Sequence, residues 1–423
     1  MNAALHQFLD RHNMLPEAID PLRAAAEMVE SMRAGLAGSA SSLPMIPTYL
    51  GIEGHIPAGS SAVVIDAGGT NFRCGLVTFT GDGYRTEHIT KKKMPGIDES
   101  VSWEAFISFV ADHIMPLMDK ADAIGFCFSY SAEITPEIDG RVIRIDKEVV
   151  ITGSEGKLVG ESLLEELSRR GVKGKHIVIL NDTAAVLLGG TALLDKSRYG
   201  GFIGQVSGTG TNTCCVLPEN RIEKLHSTSE RKIIVNLESG LYDGLPVGDF
   251  DRQLDRESHN PGLKRLEKQT AGVYLGPLAD RMLLSAADEG LLCRQTAEKL
   301  RAMGSFNAAV LDAWACGEDL DFTSSREEAD FIRELSQALF ERSARCMCAN
   351  LLAILLLTGE GSDPERPVCV SAEGSLVQKG RAYRPLLERL LAEGSAALGR
   401  CAVLRVGEET TLPGSAAAAI LNK

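Results

Sequence analysis

Two glycine-rich segments, Gly68-Gly69-Thr70-Asn71 and Gly208-Thr209-Gly210-Thr211-Asn212, carry the residue types best suited to chemistry in this chain. Each lies between two short apolar runs, Ala62–Ile65 and Phe72–Phe79 for the first, Gly201–Val206 and Thr213–Leu217 for the second. Each therefore reads as the tip of a β-hairpin. A tip built from glycine lets backbone N–H groups approach phosphate oxygens, and Thr70, Asn71 and Thr209 add side-chain donors. The same residues also suit two tight turns that bind nothing. Neither segment is a Walker loop or a dinucleotide G-x-G-x-x-G. Asp66 stands at the strand end before the first tip. A second acid, Asp182, ends the apolar run Ile177–Leu180, where a bare carboxylate is costly unless it is paired or used. It reads either as the N-cap of the following helix or as a functional carboxylate.

The elements that must position these groups follow from periodicity. Leu22, Ala25, Ala26, Val29, Met32 and Leu36 recur at helical spacing and predict an amphipathic helix over Ile19–Leu36, followed by a Gly/Ser-rich connector. Trp103–Met118 reads as a helix, Ala123–Phe128 and Ile177–Leu180 as buried strands, and Ala184–Leu193 as a helix. Helices dominate the second half, with a long one expected over Arg326–Leu357. The two hairpins lie roughly 140 residues apart, about one domain length, which points to an internally duplicated pair of α/β domains.

Bulk composition narrows the classes. A chain of 423 residues with 44% apolar and 24% charged residues predicts two ordered domains. Its net charge of −13 and the lack of a long basic stripe argue against nucleic acid as a partner. Lys91–Lys93 reads as a solvated loop. The longest apolar tract, Leu351–Leu357, is too short to span a bilayer, so no membrane partner is expected. Ten cysteines without a C-x-x-C pair read as free core thiols, and the first residues lack a secretory pattern. A cytoplasmic location is the expectation.

Over about Met45 to Ile420 the chain resembles the hexokinase family. Asp66-Ala67-Gly68-Gly69-Thr70-Asn71-Phe72-Arg73 is similar to its first phosphate motif, with Met45–Tyr49 like the segment before it, and Gly208–Asn212 is similar to its second. Phe128-Ser129-Tyr130 looks like the sugar-contacting F-S-F/Y, and Lys147, eighteen residues after Ser129, stands where the lysine of the family's T-K-G-F does. Asn181-Asp182-Thr183 matches N-D-T, and Asn236-Leu237-Glu238 matches N-x-E. Asp251–Gly276 resembles the longest family block and places Glu267 on its second sugar-binding glutamate. Gly374-Ser375 looks like the adenosine-side turn, and Gly414–Ala417 like the final helix start.

The resemblance implies an α/β fold of two actin-like ATPase (ribonuclease H-like) domains, each a mixed β-sheet flanked by helices, around a central cleft. The expected division is an N-terminal helix and connector over 1–60, a small domain over 61–180 and a large domain over 181–423. It implies transfer of the γ-phosphoryl of Mg-ATP to the 6-hydroxyl of a hexose, with glucose the expected acceptor, by a monomer or homodimer. Asp182 would be the base that takes the hydroxyl proton, and Lys147 would hold the sugar and offset developing charge. Ser129, Asp146, Asn181, Asn212, Glu238 and Glu267 would complete the sugar site. Asp66, Gly68, Gly69, Thr70, Asn71, Arg73, Gly208, Thr209, Gly210, Gly374 and Ser375 would hold the nucleotide, with Asp66 meeting Mg²⁺ through water.

Departures from the family pattern cluster around the sugar. Asp146 replaces a threonine, Glu148-Val149 a Gly-Phe, Ser131 a proline, Ser239 an aromatic residue and Glu373 an aspartate. Asp146 would widen tolerance toward another hexose or an amino sugar. The rival readings are a kinase for mannose, fructose or glucosamine, and a sugar sensor without turnover.

Overall fold

A computed structural model describes residues 1–145 and 149–423. The chain begins with helices α1 (Ala3–Arg11) and α2 (Pro21–Leu36), then strands β1 (Ile46–Gly51), β2 (Ser61–Gly68), β3 (Asn71–Phe79), β4 (Tyr84–Lys93) and β5 (Val101–Ser102). Helix α3 (Trp103–Ile114) leads into β6 (Ala123–Phe128), β7 (Ser131–Ile134), β8 (Gly140–Arg144) and β9 (Ile151–Thr152). After α4 (Val159–Arg169) come β10 (His176–Leu180), α5 (Asp182–Thr191), β11 (Gly201–Ser207), β12 (Thr211–Pro218) and β13 (Lys232–Asn236). A helical stretch follows: α6 (Asp249–Glu257), α7 (Arg265–Thr270), α8 (Gly272–Asp288), α9 (Arg294–Met303), α10 (Ala308–Ala315) and α11 (Arg326–Thr358). The chain closes with β14 (Val368–Glu373), α12 (Ser375–Lys379), α13 (Tyr383–Ala397), β15 (Ala402–Val406) and α14 (Thr411–Leu421).

These elements divide into two compact units, each assembled from separated segments. The first holds Met1–Pro44, Ser197–Thr213 and Leu237–Val406; the second holds Met45–Lys196, Cys214–Asn236 and Gly407–Lys423. The second unit thus contains all of 61–180 and also takes α5 and the C-terminal helix α14.

In the second unit the β-branched run Val63-Val64-Ile65 places β2 at the centre of a five-stranded sheet ordered β10-β6-β2-β3-β4. Strands β10, β6 and β2 are parallel, whereas β2, β3 and β4 are antiparallel. One face buries Val63, Ile65, Ile124 and Phe126 against Phe106, Val110 and Ile114 of α3. Gly125, between two of those core residues, points the other way, where an added Cβ would lie 1.9 Å from the Ser415 carbonyl of α14. Small residues thus seat α14 directly on the strands, with Gly414 meeting the Ala185 carbonyl of α5 in the same manner. Strands β1, β13 and β12 add an antiparallel ladder.

In the first unit, β11, β14 and β15 run parallel, and α11 is the central helix. Its 33 residues span about 50 Å at 1.5 Å per residue. Ser325 caps its start, Glu327 and Glu328 favour the positive end of its dipole, and Gly359 at φ 76° ends it. Every residue from Cys346 to Leu355 is buried, because α2 and α13 pack on it. Asp251 and Arg342 form a buried ion pair in this unit, joined at 2.8 and 3.2 Å, and Gly248 N–H also donates to Asp251. All ten cysteines are free; seven are buried, but Cys293 and Cys316 are exposed and Cys401 is half-buried, so the reading of all ten as core thiols is corrected.

Candidate active site

The register of the parallel strands in the second unit explains why residues distant in sequence meet. Asp66 on β2 lies opposite Cys127 on β6, and Cys127 opposite Leu180 on β10. Gly68, the last residue of β2, and Ser129, Asn181 and Asp182, just beyond β6 and β10, therefore emerge along one edge of the sheet. Ligand sites of open α/β sheets form at such carboxyl ends.

Strands β2 and β3 pair through Gly68 and Asn71, leaving Gly69-Thr70 as a two-residue turn with Gly69 at φ 60°. Thr70 and Asn71 are exposed at the tip, as a ligand-facing loop requires. The tip is fixed against the β6 end by three contacts. Ser129 N–H donates to the Ala67 carbonyl at 3.0 Å, the Tyr130 hydroxyl donates to the Gly69 carbonyl at 3.2 Å, and Gly68 packs on Ser129 so tightly that no Cβ fits. Across the ladder, Arg73 donates through Nε and Nη2 to Oδ2 of Asp66 at 2.9 and 2.7 Å. Burial pushes the Asp66 carboxyl above the usual range against the pull of Arg73, and the Asp182 carboxylate adds to the push.

Asn181 is the residue that caps α5: its Oδ1 accepts from Ala184 N–H at 3.0 Å. Asp182 is the first helical residue, so its reading as the N-cap is corrected. Its Oδ1 accepts the Thr183 hydroxyl at 3.1 Å. Asn181 Nδ2 is buried with no hydrogen-bond partner among the described residues. This strand end therefore offers one free amide donor and one half-buried carboxylate, a pair suited to a hydroxyl that must be held and deprotonated.

The first unit gathers a second group around the end of β11. Gly272 N–H donates to the Gly208 carbonyl at 2.7 Å, and Gly208 N–H to the Gly210 carbonyl at 3.0 Å. Gly374, at φ 121°, approaches so closely that a Cβ there would lie 2.4 Å from the Ser207 carbonyl. The second glycine tip and Gly374-Ser375 are thereby adjacent, with Thr209 and Ser375 exposed. Glu267 accepts from Thr211 N–H at 3.3 Å and faces Lys264 at 3.5 Å. Asn212 Oδ1 accepts from Thr213 and Ser239 N–H at 2.8 and 3.1 Å, which anchors the left-handed backbone of Glu238 at φ 54°.

Asp146 and Lys147 lie outside the described residues. Sequence reasoning assigned no role to the Tyr130 hydroxyl, Gly240 or Gly272. A tyrosine beside a proposed ligand residue, and glycines flanking the glutamates, were the available signals: Gly240 leaves room for the Glu267 stem, with a built Cβ 3.2 Å from that of Glu267.

Two family models described as hexokinase match residues 4–192 and 202–421. The chain belongs to the hexokinase family. It is 29% identical to glucokinase-1 of Saccharomyces cerevisiae over 92% of this chain and 90% of that one. It is likewise 29% identical to hexokinase-1 of Schizosaccharomyces pombe, over 79% and 74%. Among solved structures, a Schistosoma mansoni hexokinase complexed with glucose aligns over 98% of this chain and 99% of its own, with TM-score 0.77 and 23% identity. A further hexokinase structure aligns with TM-score 0.81 and 20% identity over 99% and 100%. The fold is the two-domain actin-like ATPase fold. The enzyme is a hexokinase, a phosphotransferase that uses ATP to phosphorylate a hexose. No helix among the described residues is long and apolar enough to cross a membrane.

Proposed function

We propose that the enzyme transfers the γ-phosphoryl of Mg-ATP to the 6-hydroxyl of glucose, with Asp182 as the general base. The observation that carries this reading is the division of labour at the β10 end: Asn181 caps the helix and leaves the Asp182 carboxylate available. Its Oδ1 holds the Thr183 hydroxyl, so Oδ2 is the oxygen offered to the sugar. The hydroxyl proton passes to that oxygen as the sugar oxygen attacks the γ-phosphorus and the bond to the β-phosphate oxygen breaks, releasing ADP.

Ser129 and Asn181 Nδ2 are proposed to orient the sugar beside Asp182. Asn212, Glu238 and Glu267 are proposed to accept and donate at its other hydroxyls, and Lys147 and Asp146 to lie at the reacting end. Such a set rejects a sugar lacking one hydroxyl by leaving buried polar groups unpaired. The glycine tips at 68–71 and 208–210 are proposed to hold the phosphates, with Arg73 and Gly374-Ser375 completing the nucleotide site. Among the described residues no group of three or more His, Cys, Asp or Glu side chains could hold a metal ion. Mg²⁺ is proposed to arrive on the nucleotide, with Asp66 meeting it through water. We further propose a cytoplasmic monomer or homodimer, in keeping with the free thiols.

The test is Asp182→Asn, which keeps the shape and removes the base. Turnover should fall by about 10²–10⁴-fold while calorimetric glucose binding persists. Turnover within a fewfold of wild type would remove Asp182 from this role.

A further inference from the structure

Helix α7 has only six residues, yet it and the start of α8 meet the second glycine tip along their whole length. At one end, Glu267 Oε2 accepts from Thr211 N–H at 3.3 Å and lies 3.1 Å from where a Cβ on Gly210 would be. At the other, Gly272 N–H donates to the Gly208 carbonyl at 2.7 Å. Between them, the Thr270 hydroxyl lies 2.9 Å from the Thr211 hydroxyl and 2.7 Å from the Leu266 carbonyl. The two hydroxyls hold two protons between them, enough for both contacts.

Both threonines are buried, so this pair is enclosed in the core, where a hydroxyl is costly unless it is bonded. The α7 side of the pair is itself anchored: buried Ser343 of α11 donates its hydroxyl to the Thr270 carbonyl at 3.0 Å. Glu267 and Thr270 are three residues apart and share one helix face, which both turn to Thr211. The strand that follows the tip is thus pinned to the same face that carries the glutamate.

We propose that Thr270 is a positioning residue: through Thr211 it sets the distance between the 208–210 tip and Glu267. The proposal rests on the reading of that tip as a phosphate site and of Glu267 as a sugar ligand. The hydroxyls meet at 2.9 Å, whereas two methyl groups favour about 3.5–4.0 Å. An apolar pair of the same shape would hold the tip and the helix roughly 1 Å further apart, and a displacement of that size costs about 10²-fold in rate.

The experiment compares Thr270→Val, Thr211→Val/Thr270→Val and Thr270→Ser with the wild-type enzyme by coupled ADP release and thermal melts. Thr270→Val strips the buried Thr211 hydroxyl of its partner and should melt lower. The double variant leaves neither hydroxyl unpaired and should melt closer to wild type. Its kcat should nonetheless fall by about ten- to a hundredfold, with the KM values for glucose and ATP within about threefold, because each subsite keeps its own groups. Thr270→Ser keeps the hydroxyl and should hold kcat within about twofold. A kcat that recovers together with the melt in the double variant, or wild-type kcat in both valine variants, overturns the proposal. Thr270→Ser as slow as Thr270→Val overturns it as well, because the methyl group and not the hydroxyl would then matter. Glu267→Gln separates this outcome from the reading of the site. An unchanged glucose KM in Glu267→Gln removes that residue from the sugar site, and the proposal falls with it. A raised glucose KM there, with wild-type kcat in the valine variants, removes only the role of Thr270.

Discussion

Replacing Gly68 by alanine tests whether the glycine tip must sit where Ser129 holds it. A Cβ at this position would lie 2.8 Å from Ser129 Cβ and 2.9 Å from its Oγ. Carbon atoms favour about 3.5–4.0 Å, so roughly 1 Å of relief is needed. Little of it can come from the strands, because β2 pairs with β6 up to Ala67 and Phe128 and Ser129 N–H is tied to the Ala67 carbonyl. The displacement therefore falls on the tip or on Ser129, both proposed ligand groups. Overpacking of this kind costs about 1–3 kcal/mol, which a folded domain survives. A misplacement near 1 Å at a reacting centre costs about 10²-fold in rate. Steady-state kinetics by coupled ADP release, with a thermal melt of the same preparation, should show kcat/KM down about 10²-fold in a folded enzyme. Gly69→Ala is the control: nothing lies within 4 Å of a Cβ there, and only its φ of 60° opposes a side chain, at about 1–2 kcal/mol. Its thermal melt should fall by no more than that strain implies, and any loss of activity should appear in the KM for ATP, because the tip is proposed to hold the phosphates. Wild-type kinetics in Gly68→Ala would refute the argument that this contact sets the geometry.

Tyr130→Phe removes one hydrogen bond to the Gly69 carbonyl, worth about 0.5–1.5 kcal/mol, and should raise the KM for ATP about two- to tenfold in initial-rate assays. Arg342→Met leaves Asp251 buried without its counter-ion and should destabilise the fold by about 3–5 kcal/mol in urea unfolding. Burial opposes ionisation of Glu328, but donors from Cys293 N–H, the Thr296 hydroxyl and Ser324 N–H outweigh it and hold the carboxyl below its usual range. Its contribution is therefore complete above the unfolded carboxyl range and is lost as pH falls through the lower folded value. Glu328→Gln should accordingly melt lower than wild type at pH 7, with the gap closing on acidification below about pH 4.

The periodic elements were legible in the sequence. The strands at Ala123–Phe128 and Ile177–Leu180 and the helix from Arg326 appear within a residue or two of their expected bounds, because apolar spacing records which face is buried. The assignment of Asn181 and Asp182 was not. Both residue types cap helices, and only the position of Ala184 N–H distinguishes them. The seating of α14 was hidden for a different reason. Gly125 and Gly414 permit close backbone approach, but a glycine does not name the carbonyl that will approach it. The same holds for Gly374, which sequence marks as a turn and whose contact with Ser207 is set by the parallel pairing of β11 with β14.

The most direct test of the central claim is ADP release from Mg-ATP by the wild-type enzyme, followed with glucose, mannose, fructose, glucosamine and N-acetylglucosamine against a blank without sugar. The proposed site predicts sugar-dependent ADP release, highest kcat/KM with glucose, and glucose 6-phosphate as product. ADP release at the same rate with and without every sugar would contradict it.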